Sequence, residues 1–195
     1  MPYQPKKFDQ LLGTPGFSDT LLENHFTLYE GYVTNVNKIA EALAKAPLEN
    51  KLSTPEYNEL KRRFGWEWNG MRLHELYFEN FGKTTSDPAI GGATAIKKLT
   101  EQFGSYENWL KDFRATGTMR GIGWTILYRD PTDGRFFNEW VNEHDMGHLA
   151  GCTPLLVLDV FEHAYVTDYG LKRADYIEAF IKAIDWNVVA TRTKP

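Results

Sequence analysis

The chain has 195 residues, and its content of 42% hydrophobic and 14% aromatic residues is enough for a sizeable core and too high for a disordered chain. Its 22 basic and 26 acidic residues give a net charge of −4. Without a basic cluster, this charge argues against nucleic acid as a main partner. The single cysteine, Cys152, excludes an intrachain disulfide framework and a multi-cysteine zinc site. We find no signal-peptide pattern and no apolar run of roughly 20 residues, so we expect a cytoplasmic protein that does not span a membrane.

The first half of the chain has the pattern of two helices. From residue 19 to about residue 43, apolar residues recur every three or four positions, which predicts one amphipathic helix. The break at 47–51 begins with proline, and the sequence STPE at 53–56 resembles a capping box that starts a second helix reaching about residue 81. Two helices joined by a short loop predict an antiparallel hairpin, which we assign to an N-terminal helical domain at residues 1–85.

The second half mixes helix and strand patterns. A linker is predicted at 83–92, Ser105 has the features of an N-cap, and the sequence DPTDG at 130–134 predicts a turn between two strands. The fold class expected is α+β: an N-terminal antiparallel α-helical hairpin followed by a C-terminal α/β lobe with a three-stranded antiparallel sheet, which we assign to a domain at residues 86–195. The elements predicted in that lobe are helices at 93–103, 106–113 and 173–184, and strands at 124–128, 135–141 and 155–158.

The sequence DVFEHAY at 159–165 directly follows the third predicted strand. Asp159 and His163 are four residues apart, so they can meet on one side of the chain as it turns from strand into helix. A carboxylate and an imidazole so placed can bind iron, manganese or zinc. They are equally consistent with a helix N-terminus that Asp159 caps, beside a hydrogen-bonded histidine. Glu162 would point elsewhere, which makes it a candidate for supporting the ligands or for an interface.

Two further histidines lie on the predicted helices. His25 shares a face of the first helix with Tyr29 and Tyr32, which follow at intervals of about one turn. His74 lies on the second helix, on the same face as Tyr77. Taken alone, both patterns favour core histidines packed among aromatic side chains.

Taken together, these segments resemble the iron/manganese superoxide dismutase family over nearly the whole chain. The sequence at 159–165 is similar to the family's D-x-W-E-H-A-Y signature, with Phe161 where tryptophan is usual. Residues 69–77 resemble the helix that carries the family's second ligand. The segments 103–105, 121–124 and 172–176 also match and follow in the family's order.

The resemblance implies a mononuclear site with one iron or manganese ion per chain. It implies that Tyr32 stands at the mouth of the substrate channel and that His144 hydrogen-bonds the metal-bound solvent, so both are expected to serve catalysis. The implied metal ligands are His25, His74, Asp159 and His163. The implied supporting residues are Tyr77, Phe78, Trp124, Phe161, Glu162 and Arg173.

The activity that the resemblance implies is the conversion of superoxide to dioxygen and hydrogen peroxide, by a homodimer or a dimer-based tetramer. Between the two metals we favour iron. Two alternatives use the same ligands: a degenerate, superoxide-dismutase-like metal-binding protein and a hydrolytic zinc enzyme. All four ligands can be placed, which argues against the first, and no residue is an obvious general base for the second.

Three positions depart from the family pattern. His25 and Tyr32 are seven residues apart, one fewer than in most family members, which predicts a regular helix rather than one with a π-bulge. The family's histidine between them is replaced by Leu28 or Tyr29, and the second tyrosine of the signature by Val166. Because those two family residues meet across the dimer interface, we expect the dimer contact to differ here.

The resemblance also carries an expectation about the space around His144. Gly70 is implied to leave room for this side chain. His148 follows His144 by four residues. With no other ligand beside it, we interpret it as a histidine near the same hydrogen-bond network rather than as a second metal site.

Overall fold

The first helix carries the chain from its N-terminal segment across the molecule. The computed structural model describes residues 1–83 and 88–193, and helix α1 spans Asp19–Lys45. Its N-cap is Ser18, whose hydroxyl accepts a hydrogen bond from the Leu21 amide and so satisfies a free donor of the first turn. The helix is continuous through His25 and Tyr32, so the regular helix predicted from their spacing is confirmed.

The second helix, α2, spans Pro55–Glu79 and packs against α1. Its N-cap is Thr54, whose side chain accepts from the Tyr57 amide; a capping box starting at Ser53 was therefore wrong by one residue. Pro55 fits the first helical position because the amide it lacks would have no partner there. The helix also ends earlier than predicted, at Glu79, since the chain beyond it turns into an isolated bridge between residues 81 and 184.

The predicted linker at 83–92 falls partly outside the described residues, which omit 84–87. Within its described part, Pro88–Gly91 forms the short helix α3. The predicted domain boundary between residues 85 and 86 also lies in the omitted segment. The division into two domains therefore stays a prediction.

The remaining elements follow the predicted order. Helix α5 runs one turn further than predicted, and two short helices at 166–169 and 186–192 were not predicted. Ser105 caps α5 as expected, accepting from the Asn108 amide. The elements are α4 (Ala93–Phe103), α5 (Tyr106–Gly117), β1 (Gly123–Arg129), β2 (Phe136–Asn142), β3 (Thr153–Asp159), α6 (Val166–Tyr169), α7 (Arg173–Ala183) and α8 (Trp186–Arg192), with 3₁₀ turns at Asp9–Leu11 and Glu162–Ala164.

The three strands form the predicted antiparallel sheet, and their order in it is β2-β1-β3. The central strand is almost entirely buried, which explains its run of aromatic and β-branched residues. In the register of this sheet, Trp124 at the start of β1 lies between Val141 of β2 and Asp159 of β3. The sheet therefore places the indole of Trp124 and the carboxylate of Asp159 side by side at one end.

A continuous hydrophobic core joins the helical hairpin to the sheet. It includes Val33 of α1, Tyr77 of α2, Ile126 of β1 and Phe180 of α7, all nearly inaccessible to solvent. Because the hairpin packs directly against this end of the sheet, side chains from α1 and α2 can reach the end of β3. None of the described helices is both long enough and apolar enough to cross a membrane.

Candidate metal centre

Three imidazoles meet the carboxylate of Asp159 in the interior of the molecule. The Nε2 atoms of His25 and His163 each lie 3.2 Å from Oδ2 of Asp159, and Nε2 of His74 lies 3.6 Å from the same oxygen. One ligand atom from each of the four residues lies within 4.8 Å of the others. The structure therefore brings together all four residues that the resemblance implied as ligands.

Four separate elements supply these side chains. His25 projects from α1 and His74 from α2, Asp159 is the last residue of β3, and His163 lies in the 3₁₀ turn that follows. Asp159 does not cap an α-helix, so that alternative was wrong. The strand ends at the carboxylate, an extended Phe161 follows, and the tight turn returns the ring of His163 to the same oxygen.

A main-chain amide orients the carboxylate of Asp159, and a buried tyrosine holds the backbone of the same residue. Oδ1 of Asp159 accepts from the Phe161 amide at 2.8 Å, which leaves Oδ2 facing the three imidazoles. The main-chain carbonyl of Asp159 accepts from the hydroxyl of Tyr176 at 2.7 Å, and that hydroxyl lies 3.0 Å from the hydroxyl of Tyr77. Such contacts behind a ligand fix the direction of its lone pairs.

The hydrogen bonds of His74 determine which of its nitrogens is free. Nδ1 lies 2.6 Å from the carbonyl oxygen of Gly70, and a carbonyl can only accept, so Nδ1 carries the proton. Nε2 then presents a lone pair, is buried, and has no hydrogen-bond partner within the described residues. A buried nitrogen without a partner is costly unless something binds it, and this one is aimed at the carboxylate of Asp159.

The charge states of these groups suit a cation. Burial lowers the pKa of His25 and, more strongly, that of His74, so both imidazoles are neutral near pH 7. Burial opposes ionisation of Asp159, but its interactions with His163 and His25 outweigh this effect and lower the pKa of its carboxyl. Imidazoles around one carboxylate form a donor set that iron, manganese and zinc all accept.

The spacing of the donor atoms also fits a shared ion. Two atoms that each lie about 2.1 Å from one metal are about 3.0 Å apart at a right angle and about 3.6 Å apart at 120°. The three nitrogen–oxygen distances to Asp159, between 3.2 and 3.6 Å, fall in this interval. The residues present therefore fit a single transition-metal ion.

Aromatic rings enclose the four donors. Phe78 and Tyr77 pack against the ring of His25, with centroids 4.9 and 5.3 Å away, and Trp124 packs edge-on to His74 at 5.0 Å. Phe161 lies 5.2 Å from His163 and 4.8 Å from His144. These four implied supporting residues are all in contact with the site, and their rings exclude water from it.

A directed hydrogen-bond chain runs from Trp124 to Tyr32 through His144. Nε1 of Trp124 can only donate, so Nδ1 of His144 accepts at 3.0 Å. Burial lowers the pKa of His144 to about 4, so the ring is neutral and its proton is on Nε2. That atom donates to the hydroxyl oxygen of Tyr32 at 2.8 Å. Both ring nitrogens of His144 are thus engaged, and the hydroxyl proton of Tyr32 is left to point elsewhere.

The space beside Gly70 is filled by Tyr32, not by His144 as expected. A Cβ at position 70 would come within 2.6 Å of the Tyr32 ring. Burial raises the pKa of the Tyr32 hydroxyl, and the nearby carboxylate of Asp159 raises it further. The phenol therefore keeps its proton near neutral pH.

Two other implied supporting residues lie further from the donors. The side-chain nitrogens of Arg173 donate to the carbonyls of Met119 and Gly121 at 2.7 and 2.8 Å, which anchors the loop that precedes β1. Glu162 is exposed on the surface of the chain. The contacts of Arg173 and the surface position of Glu162 both lie away from the donor atoms.

Sequence reasoning missed two residues around His144, Glu143 and Trp66. Glu143 adopts a positive φ of 49°, rare for a residue with a side chain, and its carboxylate accepts from Nε1 of Trp66 at 3.1 Å. The Trp66 ring packs edge-on against His144 with centroids 4.4 Å apart. His148 was expected near the same network, and its ring does lie between the Tyr128 hydroxyl and the His144 carbonyl. The spacing of Trp66 from His74, two helical turns, was the available signal for its place on this face.

Comparison with known proteins identifies the family. The family model described as iron/manganese superoxide dismutases, C-terminal domain, matches residues 92–192. The chain is 40% identical to a superoxide dismutase [Fe] of Cupriavidus metallidurans over 91% of this chain and 88% of the relative. The chain belongs to the iron/manganese superoxide dismutase family.

Other members of the family match over even more of the chain. A superoxide dismutase [Mn] of Haloarcula marismortui is 35% identical over 97% of this chain and 91% of its own. A superoxide dismutase [Fe] of Aquifex pyrophilus is 35% identical over 97% and 90% respectively. The family therefore accounts for both the helical hairpin and the α/β part, and its members named here include both metals.

The contact between Gly70 and Tyr32 gives a first prediction. We expect Gly70→Ala to lower the free energy of unfolding by about 1–3 kcal/mol, because the added methyl overlaps the Tyr32 ring. Gly65→Ala on the same helix is the matched control, since nothing lies within 4 Å of a Cβ there, and it should raise stability by about 0.5–1 kcal/mol. Urea unfolding measures both; equal shifts would contradict the packing described.

Proposed function

We propose that this chain is a superoxide dismutase that uses iron or manganese held by His25, His74, Asp159 and His163. The observation that carries the proposal is the convergence of three Nε2 atoms on one carboxylate oxygen. The named relatives are iron or manganese superoxide dismutases, which supports redox chemistry over a hydrolytic zinc site. The presence of all four donors argues against a degenerate relative.

The chemistry that iron or manganese supplies when bound is one-electron transfer, so that one superoxide is oxidised to dioxygen and a second is reduced to hydrogen peroxide. The second half of this reaction consumes two protons. The chain's own contribution is to hold the donors in place, to exclude bulk water with the aromatic rings, and to provide a proton near the site. Residues of the chain can be assigned to each of these three tasks.

We assign the proton to the hydroxyl of Tyr32 and its positioning to His144. The chain from Trp124 through His144 donates toward the Tyr32 oxygen, so the Tyr32 proton is the one left to be given. Donation from His144 also stabilises the phenolate that forms when this proton leaves. His144 acts through Tyr32 in this scheme, because both of its ring nitrogens are already bound within the chain.

We further propose one ion per chain, with iron favoured over manganese, and a cytoplasmic location. The single cluster of four converging donors in residues 1–83 and 88–193 supports one ion. The donor atoms are compatible with both metals. Metal analysis of protein from its own host, with superoxide assays after loading with each metal, distinguishes them.

A homodimer is proposed from the unequal exposure of the site. The side chains of His25, His74 and Asp159 are inaccessible to solvent, but that of His163 is 30% exposed. Near this open side, Val166 follows the turn that carries His163 and is 43% exposed. A second copy covering this face would close the site from outside.

Removing the central carboxylate tests the metal assignment. We expect Asp159→Ala to abolish metal retention and dismutase activity, because the ion would lose its one carboxylate ligand and the three imidazoles their common partner. Asp9→Asn, which removes an exposed charge near the N-terminus, should change neither. Metal content and superoxide decay measure the outcome, and an Asp159→Ala protein with full metal and full activity would refute the assignment.

Removing the Tyr32 hydroxyl tests the proton assignment. Tyr32→Phe should leave the metal content unchanged and lower kcat by about tenfold, less than the 10²–10⁴ typical of a lost general acid because water can partly replace the hydroxyl.

Tyr29→Phe, on the same helix, is the matched control for Tyr32→Phe. Its hydroxyl donates to Glu75 instead, so its loss should cost about 1 kcal/mol of stability and leave kcat intact. Equal effects of the two variants on turnover would argue against a specific role for Tyr32.

Charge placed on the open face tests the dimer. Wild-type protein should sediment as a dimer, and Val166→Glu should shift it toward half that mass, since the new carboxylate would lose its hydration in the interface. Leu48→Glu, at an 85% exposed position on the tip of the hairpin, should remain dimeric. A monomeric wild type, or a Val166→Glu protein that stays dimeric, would be inconsistent with this interface.

A further inference from the structure

A half-exposed arginine stands beside the proton-donating end of the site. Arg63 lies on α2, and its side chain is 46% accessible. Its guanidinium carbon is 3.8 Å from the centroid of the Trp66 ring, a stacked cation–π arrangement. Trp66 in turn contacts His144, and its centroid is 5.7 Å from that of Tyr32. One indole therefore separates this surface cation from the hydrogen-bonded pair.

A buried carboxylate holds the Arg63 side chain in position. Nε of Arg63 donates to Oε1 of Glu67 at 2.8 Å, and the amide of Asn35 donates to the other oxygen at 3.3 Å. Glu67 is only 3% exposed. The pair is thus oriented, with its negative end inside the protein and its positive end toward solvent.

The outer edge of the guanidinium remains available. Within the described residues, Arg63 forms hydrogen bonds only through Nε, so both terminal NH₂ groups can donate to an anion. The Trp66 ring on which the guanidinium stacks contacts both His144 and Tyr32, so an anion held at Arg63 lies one indole away from the pair.

We propose that Arg63, held by Glu67 and stacked on Trp66, is the anion-collecting residue of this channel, drawing superoxide toward Tyr32. This inference rests on the proposed function and adds the step before chemistry. The chain as a whole has a net charge of −4 and does not attract an anion, so a local cation is needed to concentrate one. Arg173 does not serve here because its terminal nitrogens are bound to main-chain carbonyls.

The test compares two neighbouring arginines in the metal-loaded, full-length protein. Arg63→Gln should lower kcat/KM for superoxide about two- to fivefold at ~10 mM ionic strength, and the difference should vanish near ~1 M, where charges are screened within about 3 Å. Arg62→Gln removes the same charge from an exposed pair with Glu59 and should stay near the wild-type value. Arg63→Lys keeps the charge and should retain most of the rate.

A structural role for Arg63 would give a different pattern. A loss of rate in Arg63→Gln that is equal at all ionic strengths, or equal rates and salt dependence in Arg63→Gln and Arg62→Gln, would overturn the proposal. If Arg63→Gln fails to fold because Glu67 is left buried without its partner, the double variant Arg63→Gln/Glu67→Gln removes both charges. In this double variant kcat/KM should again fall below the wild-type value at low ionic strength and approach it near ~1 M.

A second readout does not depend on activity. The fluorescence of Trp66 is obtained as the difference between protein with Trp66 and the matching Trp66→Phe variant. Quenching of this signal by iodide should fall at least about twofold in Arg63→Gln at low salt, because iodide is no longer attracted to this position. Quenching by neutral acrylamide should stay constant.

The two readouts separate failure of this inference from failure of the proposed function. An inactive, metal-loaded wild type in which iodide quenching still depends on Arg63 would refute the dismutase activity and leave the anion site standing. An active wild type in which iodide quenching is indifferent to Arg63 would refute the anion site alone.

Discussion

A single carboxylate oxygen, Oδ2 of Asp159, is the constraint on which the site depends. An ionised carboxylate in a dry interior is stable only with a compensating positive charge nearby. Here three imidazole nitrogens surround that oxygen at 3.2–3.6 Å, and burial favours their neutral form at His25 and His74. The charge balance then calls for a cation among the four side chains. Two helices, a strand end and a tight turn must all be in place to provide it.

The direction of hydrogen bonding is as informative as the distances. Two groups with no freedom of role, the indole N–H of Trp124 and the carbonyl of Gly70, determine the tautomers of His144 and His74. From these follow a free lone pair on His74 and a free proton on Tyr32. The groups that fix these roles lie outside the donor set, so the chemistry of the site depends on its surroundings as well as on its ligands.

Much of this was accessible from sequence because it is local or carried by a motif. The helix over α1 follows from apolar periodicity, and the four donors from the family resemblance. The N-cap of α2 was missed by one residue because Ser53 and Thr54 both offer a hydroxyl, and only backbone geometry chooses between them. The partner of Gly70 and the cluster of Trp66 with Glu143 depend on how α2 meets α1 and the chain after β2. No local pattern encodes such approaches between distant segments.

The close approach of Tyr32 to Gly70 makes a residue without a side chain part of what positions the phenol. A ring atom that would lie 2.6 Å from a Cβ makes the two positions mutually exclusive in size: a side chain on one helix can be accommodated only if the aromatic ring on the other moves aside. An isolated change at either site would leave a steric clash or an empty space next to the reacting groups.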